Sequence, residues 1–389
     1  MLAGAAGFAL SLATEPRSVL AASAVEARLP APARSGIDHI VVVMMENRSF
    51  DHLLGWLPSA DGRQEGLSYF DAAGVAHPTF PLAPDFQGCT FGDPDHSYEG
   101  GRIQFNNGTC DGWLRTGSGD LFPIGYYVQQ DLPFLGQAAS RWTVCDHYFS
   151  AFMGPTFPNR LYLHCGVTDR IENTIAVSSL PTIWDRLAEK RVRARYYFRN
   201  LPFLVLWGNK YEPITSPFAR FLAACRAGTL PQVAFVDPLF TGSDEGTAAD
   251  DHPHADLRAG EYFLNRVYRA VTTSPAWPRT LLVITFDEWG GFFDHVPPST
   301  TPDVDPSYTL RGFRVPCLLI SPYARRGHVA HGLYDHTSLL RLIEWRFGLR
   351  PLSVRDRSAN NLAAALDLSR PRLSAPQFNV PPLLAGAPC

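Results

Sequence analysis

Lysine is almost absent from this chain of 389 residues, and its overall charge is nearly balanced. Lys190 and Lys210 are its two lysines, and arginine supplies the remaining basic side chains. The formal net charge is −3, from 34 basic and 37 acidic residues, and no polybasic cluster occurs. Nucleic-acid-binding proteins carry basic patches, and so do proteins held on anionic membranes. We therefore expect no nucleic-acid partner and at most transient contact with a membrane surface.

A hydrophobic run long enough to span a bilayer is also missing. The N-terminal apolar stretch Leu2–Ala13 is too short for a transmembrane helix, but its length suits the core of an export signal. Ala22-Ser23-Ala24 provides small residues at a cleavage position, although the basic segment that normally precedes the apolar core is lacking. We predict an export signal over residues 1–24, with twin-arginine export left open, and a secreted or periplasmic protein.

No pair of cysteines has Cys-x-x-Cys spacing, which argues against a zinc–thiolate site. An oxidising compartment would allow disulfides instead. Spacing in the sequence suggests Cys89–Cys110, closing a loop around His96, and Cys145–Cys165 near the middle of the chain. The seven cysteines are Cys89, Cys110, Cys145, Cys165, Cys225, Cys317 and Cys389, so an odd one stays unpaired within the chain.

Short apolar segments alternate with helical patterns along the chain. The segments 37–45, 194–198, 233–236, 280–286 and 315–320 are apolar and bounded by polar residues, which indicates buried strands. Helical patterns cover 181–191, 257–273 and 337–347. This alternation predicts an α/β fold, a three-layer α/β/α sandwich with a mainly parallel sheet. We expect one domain over residues 25–389, with a loop-rich insertion at about 57–135.

Two of the predicted strands end in residues that carry oxygen ligands. Glu46 and Asn47 follow the first strand, and Asp287 and Glu288 follow the strand over 280–286. Ligands bind at the carboxyl ends of the strands in an open α/β sheet, so the four side chains converge if these strands are neighbours. Oxygen ligands suit Ca²⁺, Mg²⁺ or Mn²⁺. The alternative is that these residues only cap turns.

A third segment places a hydroxyl where a phosphate could bind. Gly154-Pro155 forms a turn, Pro158 suits the first position of a helix, and Gly166 suits its end. Thr156 then lies at a helix N-terminus, where free N–H groups and the helix dipole favour a phosphoryl group. A plain helix cap is the alternative role for this threonine.

Five motifs occur in one order, MENRSFDHLLG, DPDHS, GPTFPNR, DDHPH and TFDEWGGFFDHVPP, within about Ile37–Leu349. Together they resemble the bacterial phosphoesterase family that contains phospholipases C and an acid phosphatase, within the alkaline-phosphatase-like superfamily. The resemblance implies an alkaline-phosphatase-like fold and an active site with one divalent metal ion. The identity of that ion stays open among Ca²⁺, Mg²⁺, Mn²⁺ and Zn²⁺.

The resemblance also assigns roles to individual residues. It makes Glu46, Asn47, Thr156, Asp287 and Glu288 the metal ligands, with Thr156 also the nucleophile. A threonine hydroxyl needs such activation because it is a poor nucleophile at neutral pH.

The histidines matching the family's phosphate site are His96 and His252, and either one would protonate the leaving oxygen. His295, within DHVPP, is expected close by. Arg160 either binds a phosphate oxygen or forms an ion pair.

The sequence therefore predicts an exported, metal-dependent phosphoesterase that forms a phosphothreonine. We favour diesters such as phosphatidylcholine, because a diester carries one negative charge and this chain has few cations near its motifs. Trp289, Phe292, Phe293, Phe152 and Phe157 are aromatic residues that would hold a choline headgroup or else form core. The alternatives are an acid phosphatase acting on monoesters and a secreted metal- or carbohydrate-binding protein without turnover. The oligomeric state is not predicted.

Overall fold

The structure is a computed structural model that describes residues 28–240 and 246–389. Eight strands form the central sheet: β1 (His39–Met45), β2 (Thr143–Cys145), β3 (Ala194–Phe198), β4 (Thr215–Pro217), β5 (Val233–Val236), β6 (Thr280–Phe286), β7 (Cys317–Ile320) and β8 (His328–Ala330). The predicted export signal lies outside the described residues.

The order of the strands across the sheet is β8-β2-β7-β6-β1-β5-β3-β4. Strand β7 is antiparallel to both of its neighbours, and every other pairing is parallel. The sheet is therefore mainly parallel, as predicted. All seven residues of β6 are buried, which is typical of a strand covered on both faces of its sheet.

The α-helices are α1 (Phe50–Leu54), α2 (Tyr98–Phe105), α3 (Leu135–Ala138), α4 (Thr156–Cys165), α5 (Ile183–Glu189), α6 (Phe218–Ala227), α7 (Leu257–Thr272), α8 (His336–Phe347) and α9 (Val354–Ser358). Helices α4, α5, α8 and α9 pack as one group, and α6 packs against α7. These two groups with the sheet give the predicted three-layer α/β architecture.

Minor elements complete the described chain. Short strands outside the central sheet are Ser68–Phe70, Ala76–Pro78, Phe80–Pro81, Gly125–Tyr126, Tyr148–Phe149 and Tyr334–Asp335. The 3₁₀ helices are Pro32–Arg34, Asn106–Gly108, Phe122–Ile124, Gln129–Asp131, Phe203–Trp207, Glu212–Ile214, Trp277–Arg279, Pro306–Tyr308 and Leu362–Ala365. The expected insertion at 57–135 thus contains mostly short elements, and the single-domain assignment stays a prediction. No described helix has the length and apolar character needed to cross a bilayer.

The start of α4 differs from the sequence-based expectation. The helix begins at Thr156 rather than at Pro158, and Pro155 is its N-cap. Pro158 is tolerated at the third position because the first N–H groups of a helix have no partner within it. Gly166 ends the helix with a positive φ of 67°, as predicted.

The predicted disulfides are wrong. Cys89 is bonded to Cys389, and Cys110, Cys145 and Cys165 are free and buried. The C-terminal segment runs back beside residue 89, where the Gln87 side chain donates a hydrogen bond to the carbonyl of Ala387 at 2.8 Å. Spacing along the sequence could not reveal a contact across 300 residues.

Candidate active site

The two predicted ligand pairs meet at one edge of the sheet. Strands β1 and β6 are parallel neighbours, with Met45 opposite Phe286, so both chains leave the sheet side by side. The Asp287 N–H donates to the Met45 carbonyl at 3.1 Å, and the Asn47 N–H donates to Asp287 Oδ1 at 3.1 Å. The sheet register therefore brings Glu46 and Asp287 together, as the sequence predicted.

A glycine allows the two strand ends to approach this closely. Gly290 has a positive φ of 63°, and a Cβ at this position would lie 2.0 Å from the carbonyl oxygen of Asn47. Any larger residue would separate the segments, and the left-handed conformation itself disfavours a side chain. The Gly290 N–H also donates to Glu288 Oε2 at 2.6 Å, which fixes that carboxylate.

Helix α4 points its first residue at this pair of strand ends. The Thr156 hydroxyl donates to Glu46 Oε2 at 3.0 Å and lies 3.4 Å from Asn47 Oδ1. Asn159, one turn into the helix, closes the preceding loop: its Oδ1 accepts from the Phe152 N–H and its Nδ2 donates to the Gly154 carbonyl, both at 2.8 Å. The backbone before Thr156 is therefore held at both ends.

Three buried carboxylates lie near Thr156, and the Arg160 guanidinium contacts two of them. Arg160 Nη2 lies 2.5 Å from Glu46 Oε1, and Arg160 Nε lies 3.6 Å from Asp287 Oδ2. Burial raises the pKa of Glu46 and of Asp287. Burial and the neighbouring Asp287 carboxylate raise the pKa of Glu288. Burial therefore favours the protonated forms of these carboxyls unless further positive charge binds beside them.

The residues present fit a divalent cation. Asp287 Oδ2 and Glu288 Oε1 are buried, and neither oxygen has a hydrogen-bond partner among the described residues. Buried oxygens without partners cost free energy unless an ion or a water fills the gap. Glu46, Asn47 and Thr156 add oxygens to this set, and an all-oxygen set is the preference of Ca²⁺, Mg²⁺ and Mn²⁺.

His96 and His252 lie beside the carboxylate cluster. His96 Nε2 is 3.5 Å from Asn47 Nδ2 and 3.9 Å from Glu288 Oε1, and its Nδ1 faces the Pro94 carbonyl at 2.8 Å. The two imidazole rings are 5.9 Å apart between centroids. Because a backbone carbonyl accepts from its Nδ1, His96 presents Nε2 to the site.

The DDHPH motif docks on the end of β1. The Glu46 N–H donates to the Asp250 carbonyl at 2.7 Å, and Arg48 Nε donates to the Asp251 carbonyl at 2.6 Å. These bonds position His252 beside the site, where its Nε2 lies 4.0 Å from Asp93 Oδ2. Burial lowers the pKa of His252, and the nearby Asp93 carboxylate opposes that shift.

The structure places His295 in a different cluster. Its Nδ1 lies 2.5 Å from Asp51 Oδ2 and its Nε2 lies 3.1 Å from Asp61 Oδ1. Arg314 contacts the same ring at 3.4 Å. The contacts described for His295 thus go to Asp51, Asp61 and Arg314 rather than to Thr156, and its catalytic role stays a prediction.

The sequence analysis left one site residue undecided and missed three others. Arg160 forms ion pairs with Glu46 and with Asp237. Asp237 directly follows β5, so the signal that revealed Glu46 and Asp287 would also have found it. His336 Nε2 donates to the Asp287 carbonyl at 2.6 Å from the start of α8, and Asp93 faces His252; neither contact has a local signal.

A cavity of about 410 Å³ opens beside Thr156. Side chains of Asp93, Asp95, Glu99 and Glu172 line it, and no lysine or arginine does. Its remaining lining residues are Pro94, His96, Ser97, Tyr98, Pro155, Ile171 and Asn173. The surface next to the Pro155-Thr156 segment is therefore acidic.

Comparison with known proteins identifies the family of this chain. The sequence pattern of the Phosphoesterase family matches residues 37–350. Phospholipase C A of Mycobacterium tuberculosis (strain CDC 1551 / Oshkosh) is 32% identical over 91% of this chain and 83% of its own length. Non-specific phospholipase C3 of Arabidopsis thaliana is 28% identical over 88% of this chain and 76% of its own length.

Among solved structures, a protein of the alkaline phosphatase superfamily from Vibrio parahaemolyticus covers 86% of this chain and 71% of its own, with 9% identity and a TM-score of 0.41. The family match spans most of the chain and confirms the predicted class, a phosphoric ester hydrolase. The chain belongs to the Phosphoesterase family.

Proposed function

We propose that this protein is an exported, metal-dependent phospholipase C that cleaves phosphodiesters of the phosphatidylcholine type through a covalent Thr156 intermediate. The observation that carries the proposal is the position of the Thr156 hydroxyl, 3.0 Å from Glu46 Oε2 and at the first residue of α4. A hydroxyl at a helix N-terminus among metal-type oxygens suits in-line attack on phosphorus.

In the proposed reaction, Thr156 Oγ1 forms a bond to phosphorus, and the bond from phosphorus to the diacylglycerol oxygen breaks. Glu46 already accepts the hydroxyl hydrogen bond and is positioned to take its proton. A bound divalent cation would supply charge that lowers the pKa of the hydroxyl and neutralises a phosphoryl oxygen.

The leaving alkoxide needs a proton, and His252 or His96 supplies it. The same histidine then takes a proton from the water that attacks phosphorus, and Glu46 returns its proton to the Thr156 oxygen as phosphocholine leaves. The N-terminus of α4 stabilises the phosphoryl group throughout.

The acidic cavity supports a diester with a cationic headgroup. A monoester is dianionic and would face Asp93, Asp95, Glu99 and Glu172 without a free cation in the lining. Arg160 does not offset this, because Glu46 and Asp237 hold its guanidinium. Choline phosphodiesters carry one phosphate charge and one positive headgroup, which suits carboxylate walls.

The aromatic residues expected to hold choline do not line this cavity. Trp289, Phe292, Phe293 and Phe152 are almost completely buried, so they form core, which was the other reading of these residues. Tyr98 is the aromatic residue that does line the cavity, but the Arg102 guanidinium stacks on its ring. Headgroup recognition therefore rests on the carboxylates rather than on an aromatic cage.

Exposed apolar side chains near the cavity support a lipid substrate. The segment that forms the cavity wall at Ile171 continues to Ile175 and Val177, which are 86% and 72% exposed. The Ser178 N–H donates to the Leu206 carbonyl at 2.7 Å, which places this segment beside the exposed Val205. Such a surface suits transient contact with a phospholipid interface.

The Cys89–Cys389 disulfide supports export, because disulfides persist in oxidising compartments.

A non-catalytic binding protein would not need Thr156 together with two histidines at the same metal-type cluster.

Comparing kcat/KM for p-nitrophenyl phosphorylcholine and p-nitrophenyl phosphate tests the proposal, with Thr156→Ala as the inactive control. We expect a preference for the phosphorylcholine ester. A clear preference for the monoester across pH 4–8 would instead make the protein an acid phosphatase, and no turnover of either ester would favour a binding protein.

A further inference from the structure

A second cluster of metal-binding side chains lies at the ends of β2 and β8. Asp146 follows β2 and is fully buried, and its two carboxylate oxygens face two imidazoles. His147 Nδ1 lies 3.1 Å from Asp146 Oδ1, and His331 Nδ1 lies 2.8 Å from Asp146 Oδ2. The catalytic proposal uses none of these three side chains.

Asp61 joins the cluster from the loop after α1. Its Oδ2 lies 3.4 Å from His147 Nε2, and its backbone N–H donates to Asp146 Oδ2 at 2.9 Å. Asp61 thus contacts the other ring nitrogen of His147 and supports the Asp146 carboxylate through its backbone. Asp146, His147 and His331 each offer a donor atom, and these three atoms all lie within 4.8 Å of one another.

The Arg314 guanidinium does not neutralise the Asp61 and Asp146 carboxylates. Arg314 forms salt bridges with Asp51 at 3.1 Å and with Asp294 at 2.8 Å, beside the cluster. The guanidinium also donates to the backbone carbonyls of Asp61 and Asp146. Within the described parts of the chain, the salt bridges of the Asp61 and Asp146 carboxylates are to histidines, which carry charge only when protonated.

We propose that Asp146, His147 and His331 bind a zinc-type transition-metal ion at a second site that is distinct from the catalytic one. Zinc bonds of about 2.0–2.1 Å place the ligand atoms of a tetrahedral site about 3.3 Å apart. Here His147 Nδ1 lies 3.1 Å from Asp146 Oδ1, and His331 Nδ1 lies 2.8 Å from Asp146 Oδ2. Imidazole nitrogen favours Zn²⁺, Co²⁺ or Ni²⁺ over Ca²⁺ and Mg²⁺.

An ion at this site fastens the loops after β2 and β8 to each other, and the Asp61 N–H connects the loop after α1 to them through Asp146. Asp61 follows α1, the helix that begins three residues after Asn47, while Asp146-His147 and His331 follow β2 and β8. These loops already touch through the Tyr334 N–H, which donates to the His147 carbonyl at 2.9 Å. The second metal therefore acts as a structural brace that touches no reacting group.

Zinc binding to the whole protein tests the second site. After chelator treatment, equilibrium dialysis against Zn²⁺ followed by elemental analysis gives the metal bound per chain. We expect His147→Ala and His331→Ala each to lose about one equivalent relative to wild type. Asp287→Asn removes a predicted ligand of the catalytic site, so this variant should keep the equivalent that the two histidine variants lose.

His77→Ala is the matched control, because His77 also pairs with an aspartate, Asp71 at 2.9 Å, but lies outside the cluster. It should bind as much Zn²⁺ as the wild type. His331 is 61% exposed in its side chain, so its removal leaves the core intact. Retained turnover of p-nitrophenyl phosphorylcholine by His331→Ala, relative to wild type, would verify folding.

A second readout uses the melting temperature in the Asp287→Asn background. Zn²⁺ should raise it there and should not raise it in Asp287→Asn/His147→Ala. Equal zinc content in wild type, His147→Ala and His331→Ala would overturn the second site and would mean that the cluster is held by proton-dependent ion pairs. That outcome would leave the proposed phospholipase activity untouched.

Discussion

Replacing Asp287 by asparagine separates the effect of its charge from that of its shape. In the structure, Asp287 Oδ1 accepts from the Asn47 N–H at 3.1 Å and from the Glu288 N–H at 2.7 Å. The amide oxygen of asparagine can accept both bonds. The new amide nitrogen takes the place of Oδ2, which has no hydrogen-bond partner among the described residues. The variant should therefore fold with the site geometry nearly unchanged.

The metal response is where the variant should differ. A ligand present at about 100 times its dissociation constant stabilises a protein by about 2.7 kcal/mol. Wild-type protein should gain about this much when its preferred divalent ion is added. Asp287→Asn should gain little under the same conditions, because one carboxylate has left the oxygen set.

The metal-free proteins should differ in the opposite direction as pH rises. Burial raises the folded-state pKa of Asp287 above the ordinary value of 3.8. The stability linked to this group is thus fully present below pH 3.8 and is lost as pH rises through the raised folded-state pKa. Asparagine cannot ionise, so metal-free Asp287→Asn should lose less stability than metal-free wild type over that range.

Urea denaturation with chelator, and with Ca²⁺, Mg²⁺, Mn²⁺ or Zn²⁺ in turn, measures both effects. Asp237→Asn is the matched control, since Asp237 is buried, follows the neighbouring strand β5 and pairs with Arg160, yet lies outside the predicted ligand set. It should keep the metal response. Equal metal-induced stabilisation of wild type and Asp287→Asn would refute the assignment of Asp287 as a ligand.

Three further predictions follow from individual contacts. His252→Ala should lower kcat/KM for phosphatidylcholine by about 10²–10⁴-fold but kcat/KM for p-nitrophenyl phosphorylcholine far less, because kcat/KM reports formation of the intermediate and only the alkoxide leaving group needs a proton there; equal losses would contradict the role of general acid. Gly290→Ala should weaken metal binding and turnover, since its Cβ would lie 2.0 Å from the Asn47 oxygen, and a fully active variant would show that the approach is not needed. Asp335→Asn should destabilise the fold by about 3–5 kcal/mol at pH 7, because it leaves the buried Arg311 without its partner at 2.6 Å. Arg311 and Arg355 outweigh burial and lower the folded-state pKa of Asp335 below 3.8. As pH falls below 3.8, urea denaturation should therefore show a smaller difference in stability between wild type and Asp335→Asn.

Much of the sheet could be predicted because buried strands have a local signature. The ends of β3, β5 and β6 agree with the apolar segments 194–198, 233–236 and 280–286. The meeting of Glu46 with Asp287 was also predictable, since carboxyl ends of parallel neighbours share one edge. The antiparallel direction of β7 was not, because its apolar run looks the same in either direction.

Contacts between distant parts of the chain could not be predicted from the sequence. The partner of Cys89 is the last residue, which no spacing rule identifies. Arg160 had two possible roles, and its ion pair with Glu46 depends on how α4 packs. Trp289 follows the predicted ligands directly, yet it packs into the core because Gly290 turns the chain immediately after it.

Trapping the covalent intermediate tests the central claim most directly. Wild-type protein is mixed with p-nitrophenyl phosphorylcholine, quenched with acid during turnover, digested and analysed by mass spectrometry. We predict phosphocholine on the peptide that carries Thr156, and neither this adduct nor turnover in Thr156→Ala. Wild-type turnover by folded Thr156→Ala would contradict it and would mean that water attacks phosphorus directly.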